Sequence, residues 1–247
     1  MSRLSSIWIG WEPREAQAFM VARWTAQRRM TSPCIIRGLV LDDLVERGLY
    51  RRPMRTDKPG YYDLISAAPM ATQFAISRFF VPMLTAELRG NGKKGWAMFM
   101  DCDMVNTADI AELWAMRDDA FSVMCVKHDY QPTDEVKFLG NVQTRYEKKN
   151  WSSVMLFNNA RCRALTPDVV AKESGLYLHQ FKWLEGDHLI GGLPVTWNYL
   201  VGEMTMPGVP KLIHYTLGGP YFESYRDCEH ADVWRRAREQ MLTAAKG

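Results

Sequence analysis

The sequence predicts an α/β fold with a central, mostly parallel mixed sheet flanked by helices. Short apolar runs alternate with amphipathic segments along most of the chain, which is typical of repeated strand–helix units. The run Trp96–Met100 is continuously apolar, as expected of a strand buried on both faces. The chain has 247 residues, 47% of them hydrophobic, which is enough for one large domain with a substantial core.

Strands are expected where short apolar runs end at turn residues, and helices where apolar residues recur with helical spacing. The predicted strands cover residues 5–10, 34–40, 96–100, 121–126, 154–157 and 212–215. The predicted helices cover residues 13–29, 71–88, 109–116 and 231–245. Pro13 suits a first helical turn, whereas Pro82 is expected to kink or interrupt the second helix.

One segment does not follow this alternation. Residues 42–70 are charged and contain Pro53, Pro59 and Gly60, so we expect a long loop or a small insertion there. Long loops in compact enzymes often cover active sites. The sequence has no internal repeat, no low-complexity tract and no clear linker. Residues 1–247 are therefore expected to form a single domain that ends in a basic C-terminal helix at about 231–245.

Composition excludes several classes of protein. The 5 cysteines are widely spaced and form no CxxC pair, which favours reduced thiols and a cytoplasmic protein over a disulfide framework or a zinc site. Trp11-Glu12-Pro13 interrupts the first apolar stretch too early for a secretory signal. No apolar run approaches the roughly 18 residues of a membrane span.

The charge balance does not by itself indicate a nucleic-acid partner, because the net charge is only +3. Basic residues are nevertheless concentrated in the first quarter of the chain. They are Arg23, Arg28, Arg29, Arg47, Arg51, Arg52, Arg55 and Lys58. They form either a solvated basic face or a surface for a polyanionic acceptor.

The most informative motif is Asp101-Cys102-Asp103, which directly follows the apolar run at 96–100. Ligands of open α/β sheets bind outside the carboxyl ends of the strands. Side chains two residues apart on an extended chain point the same way, so Asp101 and Asp103 can hold one divalent cation, and that cation can hold a diphosphate. Short acidic pairs also occur in solvated turns and helix N-caps. Two carboxylates at the end of a buried strand raise the free energy of the folded protein unless a positive partner compensates their charge. This favours the metal site.

His214 is a candidate third metal ligand. It lies in a predicted strand that is followed by Gly218-Gly219, whose backbone N–H groups could approach phosphates. A single histidine after two apolar residues is more often a core residue. The aspartate pair is what favours the ligand role.

Taken in order, the motifs resemble the GT-A glycosyltransferases, in particular the retaining family eight that includes bacterial galactosyltransferases and glycogenin. The matching segments are IWIGWEPRE, SRFFVP, MFMDCDM, WSSVMLFNN, EGDHLIGGLPVTWN and IHYTLGGPYF. The resemblance implies transfer of a sugar from a nucleotide-sugar, with a UDP-sugar favoured, to an acceptor hydroxyl with retention of configuration. It also implies a metal bound through a DxD motif, with manganese favoured and magnesium as the alternative.

The resemblance implies roles for individual residues. Asp101, Asp103 and His214 match the metal ligands, and Asp187, His188 and Arg78 match groups that act at the reacting sugar. Arg78 could instead be an ordinary surface arginine. The donor-binding positions are Gly10, Trp11, Glu12, Arg78, Cys102, Asp129, Ser152, Ser153, Gly218 and Gly219. Trp197, in the segment LPVTWN, is expected to be a structural wedge, with stacking on the acceptor as the alternative.

The chain departs from the family pattern at two positions. His188 replaces the usual glutamine, which leaves the group on the reacting face in doubt. Pro220 stands where the family has a lysine for the phosphates. Backbone amides at Gly218 and Gly219, or an arginine from residues 42–70, would then have to neutralise the diphosphate.

Two rival functions are compatible with the sequence. One is a nucleotidyltransferase that acts on sugar phosphates, although the segment after the first strand lacks the expected Gly-rich basic loop. The other is a non-catalytic relative that binds a sugar or nucleotide. The acceptor is not indicated by the sequence and could be a glycan, a protein or a modified nucleic-acid base.

Overall fold

The computed structural model describes residues 6–32, 34–55, 60–89, 95–129, 136–137, 141–142 and 147–245. The strands are β1 Ser6–Gly10, β2 Ile35–Leu39, β3 Met54–Arg55, β4 Tyr61–Asp63, β5 Ala68–Met70, β6 Trp96–Met100, β7 Met104–Asn106, β8 Val123–Val126, β9 Val136–Lys137, β10 Asn141–Val142, β11 Val154–Asn158, β12 Ile190–Leu193, β13 Tyr199–Leu200 and β14 Leu212–His214. The α-helices are α1 Ala16–Arg28, α2 Leu41–Glu46, α3 Phe74–Ser77, α4 Val81–Arg89, α5 Ile110–Ala115, α6 Pro167–Lys172, α7 Gly175–His179 and α8 Ala231–Ala244. None of the described helices has the length and apolar character needed to cross a bilayer.

The central sheet has six strands in the order β12-β8-β11-β6-β1-β2. Strand β1 runs parallel to β2 and β6, and β12 runs parallel to β8. Strand β11 is antiparallel to both of its neighbours, β6 and β8. The predicted α/β fold with a mixed, mostly parallel sheet and flanking helices is therefore confirmed.

The middle strands of this sheet are buried on both faces. Every residue of β1, β6, β8 and β11 is buried, and no residue of Trp96–Met100 is more than 4% exposed. This confirms the inference from the continuous apolar run. Burying one large apolar side chain is worth about 1.5–3 kcal/mol. These strands therefore form a stable base from which residues 101–103 leave the sheet.

A smaller sheet adjoins the end of the central one. Strand β14 pairs antiparallel with β7, with His214 opposite Met104, and β13 runs parallel to β14. This sheet packs against α1 and α8 through a second apolar cluster, which includes Val21, Val105, Ile213 and Trp234. The pairing of β7 with β14 brings residue 214 beside residue 103.

Two predicted helices differ in detail from the structure. The segment 13–29 begins as a 3-10 turn at Pro13–Glu15, and α1 follows it. The segment 71–88 consists of α3, a 3-10 turn at Arg78–Phe80, and α4. Pro82 lies in the first turn of α4, where a missing N–H leaves no hydrogen bond unmade. Residues 90–92, which include Gly90 and Gly92 just after the predicted helix, lie outside the described residues.

Residues 42–70 fold as a small insertion over their described part. They contain most of α2 and a three-stranded antiparallel sheet, β3-β4-β5. Several basic residues of the first quarter are paired with carboxylates, while Lys58 lies outside the described residues. The pairs are Arg47 with Glu87, Arg51 with Asp168 and Arg52 with Asp63. The first quarter is therefore not one uncompensated basic face.

Candidate metal centre and its cavity

Asp101, Asp103 and His214 lie together just beyond the carboxyl end of β6. One ligand atom from each residue lies within 4.8 Å of the others. His214 Nε2 is 3.3 Å from a carboxylate oxygen of Asp103 and 3.9 Å from one of Asp101. Ligands placed at about 2.1 Å around one octahedral ion would lie about 3 Å apart. Two carboxylates and an imidazole at these distances fit a divalent metal after a small adjustment.

The chain around the aspartates holds them in this arrangement. The backbone N–H of Asp101 donates to the Ser153 carbonyl over 3.0 Å, which extends the pairing of β6 with β11. Cys102 is fully buried, and its thiol lies 3.7 Å from a carboxylate oxygen of Glu15. The two aspartates are half-buried. The alternation of an extended chain thus separates a buried thiol from two carboxylates that share one site.

Asn198 orients the imidazole of His214. Its Oδ1 lies 2.9 Å from His214 Nδ1, and its Nδ2 donates to Ser153 Oγ over 2.8 Å. Because the amide nitrogen is used in this way, the amide oxygen faces the imidazole and accepts the proton of Nδ1. The lone pair of Nε2 then points to the aspartates, which is the tautomer that a metal ligand requires. Asn198 was not identified from the sequence as a site residue.

Arg78 is buried beside the candidate metal centre. It is 6% exposed, and Nη1 lies 2.9 Å from Asp101 Oδ1 and 2.8 Å from the Ser152 carbonyl. Its guanidinium also lies 4.8 Å from the centre of the Phe99 ring. The alternative of an ordinary surface arginine is wrong. Arg78 fixes the carboxylate of Asp101 and supplies positive charge to the site.

Glu15 adds a third carboxyl group that the sequence analysis missed. It is 4% exposed, and the Tyr221 hydroxyl donates to its Oε1 over 2.7 Å. Burial, together with the negative charge of Asp103, raises the pKa of Glu15 to about 8. Near neutral pH the carboxyl group therefore keeps its proton. This limits the repulsion between three neighbouring acidic groups when no cation is bound.

A cavity of about 540 Å³ opens from these residues. This volume lies within the range of about 300–1,000 Å³ that is usual for sites of small molecules. Asp101, Asp103, His214 and Gly218 line the cavity, and so do Asp63 and Ser66 of the insertion. Its walls include Arg78, Lys149, Ser152, Ser153, Ser174, Gly175 and His179. The three candidate metal ligands thus line a pocket large enough for a substrate.

The cavity brings together some of the predicted donor-binding residues. Arg78, Ser152, Ser153 and Gly218 line it. Gly218 has a φ of 130°, and a Cβ there would meet the Tyr225 ring at 2.5 Å, so the turn after β14 requires glycine.

The other predicted donor-binding residues do not line the cavity as the described residues form it. They are Gly10, Trp11, Glu12, Cys102, Asp129 and Gly219. Glu12 is fully buried and accepts hydrogen bonds from Arg14 Nε and from the backbone N–H of Gln73. It therefore holds the segment after β1 to the start of α3. Asp129 is exposed.

Asp187 and His188 also lie outside the cavity lining in the described residues. Both are exposed in a 3-10 turn that precedes β12. A carboxylate oxygen of Asp187 lies 2.6 Å from Lys148 Nζ. Their role at the reacting sugar stays a prediction. Trp197 is fully buried in the core, so the structural role expected for it fits and stacking on an acceptor does not.

The cations that line the cavity are not the ones expected for the diphosphate. Arg78 and Lys149 line it, and no arginine from the described part of 42–70 does. Within the insertion, Arg52 is held by Asp63 and by the carbonyls of Val170 and Glu173. Lys149 is 7% exposed and lies in a turn before β11. No motif in the sequence marks it as a binding residue.

His179 lines the cavity wall and is half-buried. Its Nδ1 lies 2.7 Å from Ser152 Oγ, and its ring packs edge-on against Phe79. Burial and then the positive charge of Arg78 lower its pKa to about 3. The folded protein therefore holds a neutral imidazole beside the arginine, where an imidazolium would repel it.

When the pH is lowered from neutral to mildly acidic, the free energy of unfolding of a His179→Gln variant is expected to fall less than that of the parent. Below pH about 6.5 His179 binds a proton in the unfolded chain but not in the folded protein. The free energy of unfolding of the parent therefore falls by about 1.4 kcal/mol per pH unit through this residue. The loss begins near the ordinary histidine pKa and continues toward pH about 3. Urea unfolding of both proteins between neutral and mildly acidic pH measures the difference. Parallel stability curves for the two proteins would contradict the assignment.

Comparison with solved structures shows the fold. The apo structure of WbbM, a bifunctional glycosyltransferase, matches with a TM-score of 0.61 at 15% identity over 96% of this chain and 50% of that one. The glycosyltransferase GlyE of Streptococcus pneumoniae TIGR4 matches with 0.57 at 11% identity over 97% and 63%. The galactosyltransferase LgtC, solved with donor and acceptor sugar analogues, matches with 0.52 at 12% identity over 95% of both chains. These neighbours have the GT-A fold, although this chain spans only half of WbbM and under two thirds of GlyE.

Comparison with other sequences shows the family. No protein-family profile matches the chain. Protein CDI of Arabidopsis thaliana is 39% identical over 241 residues, which cover 95% of this chain and 86% of that protein. An identity of this size over nearly the whole chain shows common descent. The chain belongs to the same family as Protein CDI of Arabidopsis thaliana.

Proposed function

We propose that this protein is a metal-dependent glycosyltransferase that moves a sugar from a nucleotide-sugar to an acceptor hydroxyl. A UDP-sugar as donor, manganese as the metal, retention of configuration and membership of family eight are parts of the proposal. The observation that carries it is the joint position of Asp101, Asp103 and His214 in the lining of a cavity of about 540 Å³. The GT-A fold of the structural neighbours is consistent with it.

Different residues of the cavity would bind different parts of the donor. Asp101, Asp103 and His214 would hold the metal, with Asn198 and Arg78 fixing their orientation. A bound divalent metal supplies charge neutralisation for the diphosphate and stabilises the leaving nucleoside diphosphate. Lys149 and the backbone at Gly218 also line the cavity. They can supply further positive character to the phosphates.

The sugar would lie between the metal-binding end and the insertion. Ser152, Ser153 and the neutral imidazole of His179 offer hydrogen-bonding groups along this wall. Asp63 and Ser66 of the insertion also line the cavity, and the acceptor would enter on their side. Asp187 remains the predicted group for stabilising a cationic sugar. Its present ion pair with Lys148 would have to open for that role.

A thermal-shift panel tests this proposal. Nucleotide-sugars with different bases and sugars are added with and without manganese, and slow hydrolysis of the donor is followed in parallel. We expect one nucleotide-sugar to raise the melting temperature only with metal present. Release of pyrophosphate from a nucleoside triphosphate would instead indicate a nucleotidyltransferase. Donor binding without turnover on any acceptor would indicate a non-catalytic relative.

Replacing Lys149 by methionine is expected to raise the KM for the donor by about 10- to 100-fold, because a hydrogen bond to a charged group is worth about 1.5–3 kcal/mol. Methionine keeps most of the apolar stem of the side chain, so the variant should still fold. The measurement is steady-state turnover of the nucleotide-sugar found in the panel. Lys172→Met, at an exposed position on α6, is the matched control. An unchanged KM in Lys149→Met would remove this residue from the site.

A further inference from the structure

A second cavity lies on a different part of the molecule, between α1, β7 and α8. Its volume is about 500 Å³. Its lining includes Trp24, Arg28, Arg29, Asn106 and Arg236. We call it the α1–α8 cavity. Among the residues that the structure describes, it shares no lining residue with the cavity of the candidate metal centre.

The α1–α8 cavity is strongly basic. Arg28, Arg29 and Arg236 line it, and among the described residues its lining includes no carboxylate. Arg28 lies over the Trp24 ring at 5.8 Å. The contact of Arg236 with Asp232 is exposed and 3.8 Å long, and such pairs are worth little. The lining thus offers three guanidinium groups, and a guanidinium can donate two parallel hydrogen bonds to a phosphate.

Asn106 provides an independent sign of a ligand. Its side chain is 1% exposed, and neither Nδ2 nor Oδ1 has a hydrogen-bond partner among the described residues. The neighbouring Thr25 and Thr107 hydroxyls donate to the carbonyls of Ala22 and Pro210. An unpaired buried amide is costly by about 1–3 kcal/mol. A polar ligand in the cavity would supply both a donor and an acceptor to it.

We propose that the α1–α8 cavity binds a phosphate-bearing small molecule. The phosphate lies among Arg28, Arg29 and Arg236, and the Asn106 amide pairs with a donor and an acceptor on the organic part of the ligand. A mononucleotide and a sugar phosphate share this chemistry. The volume of about 500 Å³ is sufficient for either of them. This site does not depend on the proposed glycosyltransferase activity.

Calorimetric titration of the full chain tests the proposal. The Asp103→Asn variant is used without divalent metal, so that the metal centre does not contribute to binding. Inorganic phosphate, glucose 1-phosphate and UMP are compared at low salt. We expect one of the two organic phosphates to bind at least about tenfold more tightly than inorganic phosphate. The tighter one identifies the source of the phosphate.

A matched pair of double variants separates a specific site from general attraction to a basic surface. Arg29→Gln with Arg236→Gln should weaken binding of the preferred phosphate by at least about tenfold. Arg23→Gln with Arg238→Gln removes the same charge from exposed positions on α1 and α8 outside the lining, and should leave binding unchanged. Equal weakening by both pairs, the absence of saturable binding, or equal affinity for all three phosphates would overturn the proposal.

Asn106→Leu tests the part of the amide. Leucine removes the buried polar group at similar volume, so the melting temperature without ligand should stay the same or rise. Binding of the preferred organic phosphate should weaken by about tenfold, whereas binding of inorganic phosphate should not change. An organic phosphate that binds this variant as tightly as the parent would remove Asn106 from the site.

Discussion

An Asp103→Asn variant is expected to lose metal-dependent turnover by more than about a hundredfold, because changes at residues that only orient metal ligands already reduce affinity or activity by about 10- to 100-fold. Asparagine keeps the shape of the side chain but removes the charge that faces His214 and Glu15. The rise in melting temperature that manganese gives the parent should disappear as well.

The stability of this variant without metal distinguishes a metal ligand from a structural carboxylate. In the metal-free protein Asp103 raises the pKa of Glu15, which is a sign of repulsion between the two groups. Removing the charge should leave the metal-free melting temperature unchanged or higher. Asp168→Asn, the same change at an exposed position on α6, is the control. A lower metal-free melting temperature together with normal turnover would defeat the assignment.

Replacing Asp63 by alanine is expected to destabilise the folded protein by about 3–5 kcal/mol, the usual effect of breaking a buried ion pair from one side. Asp63 and Arg52 are 1% and 0% exposed in their side chains. Burial alone would raise the pKa of Asp63, but hydrogen bonds from Arg52 and Ser66 lower it. The variant leaves a guanidinium charge without its carboxylate in the core, and equilibrium unfolding in urea measures the loss.

Two further variants check the cause of this loss. Asp168→Ala breaks the exposed pair with Arg51 and should cost less than about 1 kcal/mol. Combining Asp63→Leu with Arg52→Met removes both buried charges and should recover part of the stability lost in Asp63→Ala. If Asp63→Ala and Asp168→Ala destabilise equally, burial of the pair is not the source of the effect.

The fold could be predicted from the sequence because its signals are local. The apolar run at 96–100 identifies a strand buried on both faces, and the alternation in Asp101-Cys102-Asp103 places both carboxylates on one side of the chain. The insertion was predicted only as a loop or insertion, because β3, β4 and β5 are each too short to show alternation. The 3-10 turn before Pro82 was likewise not visible in the helical spacing of 71–88.

Most of the site's supporting residues could not be predicted, because their contacts join distant parts of the chain. Glu15 meets Tyr221 across 206 positions, and Arg78 meets the Ser152 carbonyl across 74. Nothing near Glu15 in the sequence distinguishes it from an ordinary acidic residue in a first helical turn. His214 could be suspected from its predicted strand before Gly218-Gly219, but only the aspartate pair favoured a ligand role over that of a core residue. Asn198 lies within the quoted segment LPVTWN, and the amide could have been suspected there.

The pairing of β7 with β14 restricts how this part of the chain can change in length. His214 lies opposite Met104, one position after Asp103. Side chains alternate between the two faces of a strand, so deleting one residue from either strand would shift the pairing and separate His214 from Asp103. Substitutions can leave such a pairing intact, but insertions and deletions cannot. Indels in 104–106 or 212–214 should therefore abolish metal binding even when the protein still folds.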